Sequence, residues 1–190
     1  ESRFVQPDIQ LLAIDLDGTT VSHDIDISPR VMRAVQAAMT QGVKVVIATG
    51  RNVPSTRPFV QRLHVNAPVI CQQGGLIYDF AIEKTLHKIT LPHQLACDLA
   101  ALEHEHPTWK PVMYQDQRVY VSDAAYFRNL DSLVGFSPIE MHDLCHVLDG
   151  VDADKILFAM DPVETPPALQ FVTDFVGSRA NGGQSHAMFV

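Results

Sequence analysis

The feature that most restricts this chain is an uninterrupted apolar run, Leu11-Leu12-Ala13-Ile14, broken at once by Asp15-Leu16-Asp17-Gly18-Thr19. A run without polar alternation suits a strand covered on both faces, as in a parallel α/β sheet. The following segment is written as a helix. Ser28 can cap it, Pro29 occupies the first helical position, and Val31, Ala34, Val35, Ala38 and Met39 form an apolar stripe that ends at Gly42. A second apolar strand from Val43 to Ala48 follows, then a helix between Val53 and Leu63 and a short strand at Val69-Ile70-Cys71. Strand, helix, strand, helix, strand predicts a doubly wound, Rossmann-like parallel sheet. Ligands in such sheets sit beyond the carboxyl ends of the strands, where Asp15 and Thr49 both fall.

Past Asp79 the pattern changes to α+β. Thr85 to Ile89 reads as a strand and Leu91 to Glu105 as a helix with Leu95, Leu99 and Leu102 along one side. Val112–Tyr114 and Val119–Val121 read as a strand pair about a polar turn. Ile156–Met160 reads as a further strand, followed by a helix including Leu169, Phe171, Val172 and Phe175. The expected division is an α/β core over 1–82 and an inserted α+β domain over 83–190. Ala187-Met188-Phe189-Val190 reads as the middle of a strand, so the rest of the core is expected beyond Val190.

Charge narrows the classes of partner. Lys plus Arg total 14 against 22 for Asp plus Glu, a formal charge of -8 with no basic run. Nucleic acids and anionic membranes both require clustered cations, so neither is an expected partner. A small anionic substrate is still compatible, because backbone amides and one metal ion can supply positive potential locally. Cys71, Cys97 and Cys145 are an odd count without close pairing, which argues against a disulfide framework and against a thiolate zinc site. No stretch approaches the ~20 apolar residues that span a bilayer. The start of the chain lacks the basic and apolar regions of a secretory signal, which makes the cytoplasm the expected location. Oligomeric state is open.

Two carboxylates one residue apart at a strand end suit phosphoryl transfer. One can attack phosphorus and form an aspartyl-phosphate; the other can protonate the leaving alcohol and then activate water, contributing roughly 10²–10⁴-fold. Magnesium is expected with such a pair, since a carboxylate approaching a phosphate dianion is otherwise repelled. A hydroxyl at the neighbouring strand end, Thr49, is suited to a phosphate oxygen, and Gly18 permits a tight turn.

Asp15-Leu16-Asp17-Gly18-Thr19 resembles motif I of the haloacid dehalogenase (HAD) superfamily. Ala48-Thr49-Gly50-Arg51 resembles motif II of its Cof-type branch. Cys71-Gln72-Gln73-Gly74-Gly75-Leu76-Ile77-Tyr78 is similar to the segment that follows there, with Gln73 where Asn is usual. The insertion after motif II is similar to a class IIB α/β cap. The resemblance implies that Asp15 is the nucleophile and a magnesium ligand. It implies that Asp17 is the general acid-base, giving its carbonyl to the metal, and that Thr49, Gly50 and Arg51 bind substrate. Family members also carry a lysine and an acidic Gly-Asp-x-x-x-Asp segment after the cap, neither of which is present here.

The expected function is therefore magnesium-dependent hydrolysis of small phosphomonoesters, sugar phosphates being a first guess. The alternatives are a phosphomutase of the same fold and a non-catalytic phospho-accepting or binding module. Other residues have duller readings. His104, His106, His142 and His146 read as surface or helix-end histidines, Trp109 and Tyr114 as packing within the insertion, and Cys71 as a buried thiol without a histidine partner.

Overall fold

A computed structural model describes residues 9–22, 26–127, 138–184 and 189–190. The expectations for the first eight residues and for Ala187-Met188 therefore lie outside the described residues. The chain divides into two compact units, Glu1–Lys88 and Ile89–Val190.

In the first unit β1 (Leu11–Ile14) lies parallel to β2 (Lys44–Ile47), with Ile14 opposite Ile47. α1 (Pro29–Thr40) connects them. The Ser28 hydroxyl accepts from the Val31 N–H at 3.3 Å, and Gly42 takes φ +88° just past the helix, the left-handed stop that glycine supplies without strain. α2 (Val53–Leu63) returns the chain to β3 (Val69–Cys71), which runs parallel to the end of β2 through an Ala48–Ile70 bridge. Two further strands, β4 (Leu76–Asp79) and β5 (Lys84–Lys88), add in antiparallel fashion. Because β5 pairs with β4, it belongs to the first compact unit, which runs through Lys88.

The core of this unit gathers Leu16, Ile27, Val35, Val45, Ile47, Phe59, Leu63 and Val69 between the sheet and the helices. One expectation fails. β1 is not covered on both faces: Leu11 is 57% exposed, Leu12 and Ala13 are also exposed, and only Ile14 is half-buried. Among the described residues its first three side chains are left exposed, Leu11 more than Leu12, which stands at 37%.

The second unit contains α3 (His93–Glu105), β6 (Lys110–Gln115), β7 (Arg118–Val121), α4 (Ala124–Phe127), β8 (Ile139–Glu140), α5 (Leu144–Leu148), β9 (Lys155–Ala159) and α6 (Thr165–Val176). Its sheet runs β8-β7-β6-β9, and β6 is antiparallel to both neighbours. The β6–β7 turn places Asp116 and Gln117 at φ +46° and +65°, the twist-compatible arrangement for a two-residue hairpin. Leu95, Leu99 and Leu102 of α3 are buried with Trp109, Phe158 and Val172. Trp109 stacks on His106 at 3.9 Å, so this histidine is a packing partner of the indole. At the chain end, Phe158 and Val190 exchange N–H···O bonds of 2.8 and 3.2 Å beside β9.

The cysteine reading also needs correction. Cys97 on α3 and Cys145 on α5 form a disulfide across a sequence separation of 48. The two helices pack together and bring their Cα atoms to 4.8 Å, a proximity that spacing along the chain could not reveal. Cys71 is buried and free; burial pushes its thiol up to about 11, against a smaller opposing contribution from the Thr56 hydroxyl.

Candidate active site

Leu16 organises the loop after β1. Its side chain is fully buried, and its carbonyl accepts the N–H groups of Thr19, Thr20 and Val21 at 3.2, 2.9 and 2.7 Å. Alternation along extended chain then turns Asp15 and Asp17 the other way, and both are exposed. Gly18 sits at φ +75° with open space where a Cβ would project, so backbone conformation rather than crowding requires glycine. The Thr20 hydroxyl donates to the Asp15 carbonyl and pins the base of the loop.

The register continues into the second segment. The Ala48 N–H donates to the Ile14 carbonyl at 2.9 Å, which sets Asp15 and Thr49 at the carboxyl ends of adjacent parallel strands. Thr49 is buried, held by its own N–H to Ile70 at 2.9 Å and by accepting from Gln73 N–H at 3.1 Å. Its Oγ1 accepts from the Arg51 N–H at 3.2 Å, which leaves the hydroxyl proton for another acceptor. The exposed Gly50 N–H has no hydrogen-bond partner among the described residues.

Arg51 makes the most elaborate contacts. Its Nε lies 2.9 Å from Asp17 Oδ2 and its Nη2 lies 2.7 Å from Oδ1, a two-pronged fork on one carboxylate. The guanidinium rests 4.9 Å over the Phe59 ring of α2 and is only 15% exposed, whereas the Asp17 side chain is 54% exposed. The arginine is thus held by its stacking, and the aspartate is the more exposed partner for solvent or a ligand to reach. Sequence reasoning missed Phe59; its only signal was an aromatic two turns into a helix that follows the Arg51 loop. It also missed Asn52, the α2 cap, whose Oδ1 accepts from Ser55 N–H at 3.1 Å. Asn followed by Pro54 at the helix start was legible as a capping signature.

Gln73 adopts φ +54° and Gln72 φ +52°. A cavity-free contact results: a Cβ on Gly50 would meet the Gln73 side chain at 3.4 Å. The left-handed region is entered more easily by Asn than by Gln, which gives a physical reason for the residue type usual in this segment. Farther from the loops, Arg57 forks Glu83 at 2.7 and 2.8 Å and Tyr78 donates to the same carboxylate at 2.9 Å, tying α2 to the β4–β5 turn. These contacts hold Glu83 down to about 2, the Arg57 hydrogen bond being the largest cause.

The donors near β1 suit a hard cation in kind. Among the described residues the Asp15 carboxylate carries no hydrogen bond or ion pair, and the Asp17 carbonyl accepts no backbone hydrogen bond. Magnesium takes oxygen ligands and retains several waters, and a carboxylate and a carbonyl are donors of the type it accepts.

Asp15 and Thr49 thus stand at the carboxyl ends of neighbouring parallel strands, the position at which open α/β sheets receive their ligands. The profile of the haloacid dehalogenase-like hydrolases matches residues 12–189, and the chain belongs to that family. It is 30% identical over 111 residues to the pyridoxal phosphate phosphatase YbhA of Escherichia coli, covering 58% of this chain and 41% of that protein. Over 72 residues it is 38% identical to the 5-amino-6-(5-phospho-D-ribitylamino)uracil phosphatase YcsE of Bacillus subtilis, covering 38% of this chain and 29% of the relative. The chain therefore matches less than half the length of these curated relatives. A haloacid dehalogenase-like hydrolase from Bacteroides thetaiotaomicron superposes with a TM-score of 0.81 at 19% identity, over 95% of this chain and 69% of that one. The HAD subclass IIB sugar phosphatase BT4131 superposes at 0.72 and 18% identity, over 95% and 68%. At such identities the likeness is one of fold. No helix among the described residues is long and apolar enough to cross a membrane.

Proposed function

We propose that the complete protein hydrolyses small phosphomonoesters, with the first unit carrying the chemistry and the second acting as the cap that selects the leaving group. The observation that carries this reading is the exposed Asp15 carboxylate, unpaired among the described residues and in register with Thr49 at the next strand end, beside an arginine forked on Asp17. Asp15 attacks phosphorus and the ester oxygen departs with a proton from Asp17; Asp17 then takes a proton from water that cleaves the acyl phosphate. Thr49 donates its hydroxyl proton to a phosphoryl oxygen, and the Gly50 amide binds another. Arg51, already fixed on Phe59, exchanges its carboxylate for the phosphate dianion, which frees Asp17 for proton transfer. Asp15 and the Asp17 carbonyl would hold magnesium, which when bound neutralises charge between nucleophile and phosphate.

The relatives named above act on pyridoxal phosphate and on a phosphorylated ribityl compound, which supports an organic monoester of metabolite size as substrate class. The test is phosphate release by the complete gene product from a panel of such esters with magnesium. Asp15→Asn is expected to abolish release while leaving circular dichroism unchanged; turnover at the wild-type rate would end the nucleophile assignment. Isomerised sugar phosphate without free phosphate would point to a mutase instead.

A further inference from the structure

We propose that His93, Cys97 and Cys145 form a zinc site in the second unit, available when the cysteine pair is reduced and closed when it is oxidised.

The three ligand atoms lie within 4.8 Å of one another, and all three side chains are half-buried. His93 begins α3 and Cys97 follows one turn later, the spacing that places two side chains on one helix face. Cys145 comes from α5, the helix packed against α3, with its N–H received by Asp143 at 2.9 Å. His93 Nε2 stands 3.7 Å from Cys97 Sγ. With zinc bonds of about 2.3 Å to sulfur and 2.0–2.1 Å to nitrogen, a tetrahedral centre needs an N···S edge of about 3.6 Å, so the imidazole is already placed. Reduction lets the sulfurs part toward the S···S edge of such a centre, about 3.8 Å. His93 is fixed from behind, its backbone N–H donating to Asp152 at 3.0 Å, and Asp152 also receives the Thr90 hydroxyl at 2.9 Å.

Two thiolates and one imidazole suit a borderline-soft cation far better than magnesium, and three protein ligands leave a fourth position for water. The thiols lose their protons on binding, so affinity rises with pH. The redox step balances simply. A phosphine takes up the oxygen of one water while the disulfide gains two electrons and two protons. In reverse, the diazene oxidant diamide accepts two electrons and two protons and becomes a hydrazine as the sulfurs join. Bound zinc and the disulfide exclude each other because both claim the same sulfur lone pairs.

The test uses cobalt(II) as a spectroscopic stand-in for zinc on the complete, phosphine-reduced protein. One equivalent is expected to produce thiolate-to-cobalt charge-transfer absorption in the near ultraviolet, bleached by one equivalent of zinc. Protein treated with diamide is expected to give none. Cys71→Ser should keep the band, Cys145→Ser should lose it, and His93→Gln should weaken binding at least tenfold, all with unchanged circular dichroism. Absence of the band in reduced protein overturns the proposal, as does a band that survives Cys145→Ser. If Cys145→Ser fails to fold, protection of the reduced wild type from diamide by zinc decides the matter: an unchanged oxidation rate overturns it.

Discussion

Removing the Cys97–Cys145 bond should weaken the second unit by an amount the chain itself specifies. The bond closes a loop whose ends are 48 residues apart. Loop-closure entropy for that length corresponds to about 4 kcal/mol at 25 °C, removed from the unfolded ensemble rather than added to the folded one. Replacing both cysteines by serine changes little packing, because each side chain is half-buried, so the loss should be nearly all entropic. The single tryptophan, Trp109, is buried against His106 and reports on this unit alone. Urea unfolding followed by its fluorescence, with chelator present, should show a midpoint about 2–3 M lower for the double-serine chain than for oxidised wild type, taking about 1.5 kcal/mol/M for a unit of this size. Reduced wild type should fall to the serine value, and reductant should leave the serine chain unmoved. A difference below about 1 kcal/mol would refute the loop-closure reasoning.

Three further outcomes follow from charge. Arg51→Ala should cost the fold only about 1 kcal/mol, since its ion pair is partly exposed and its stacking modest, yet lower kcat/KM for phosphomonoesters roughly 10–100-fold; steady-state kinetics and thermal melts of the same samples separate the two. Lys155, whose ammonium lies 5.6 Å from the Tyr114 ring, is pushed down to about 8 by burial. Its folded value lies below the unfolded one, so the destabilisation is complete below about pH 8 and fades as pH rises toward 10.5. Lys155→Met should therefore stabilise at pH 7 by up to about 3 kcal/mol and much less at pH 10, read by tryptophan fluorescence in urea. Glu83 is the opposite case: depressed to about 2, it contributes stability above its ordinary value of 4.5 that disappears as pH falls from there through 2. Glu83→Gln should flatten that part of an acid titration followed by circular dichroism.

The positions closest to the proposed chemistry were the most legible. Asp15, Gly18 and Thr49 sit where local rules put them: an apolar strand must end, a left-handed turn needs glycine, and parallel register aligns successive strand ends. α1 was readable from both termini because Ser28, Pro29 and Gly42 each satisfy a backbone requirement within one turn. What stayed hidden depends on contacts between distant segments. The Asp17–Arg51 fork, the Phe59 platform beneath it and the Cys97–Cys145 bond are all brought together by tertiary packing, and no spacing in the sequence encodes them. The β8 and α5 elements were missed for another reason. They have two and five residues, too few for any periodicity to emerge.

The outer half of β1, exposed among the described residues, has a practical consequence for handling a chain of these 190 residues. From Ile9 to Ile14 there is no charged side chain and no proline, the two devices that normally discourage one β-edge from templating another. Concentrated samples should therefore self-associate through that stripe, and a lysine at Leu11, pointing into solvent already, is the gatekeeper that would keep them dispersed.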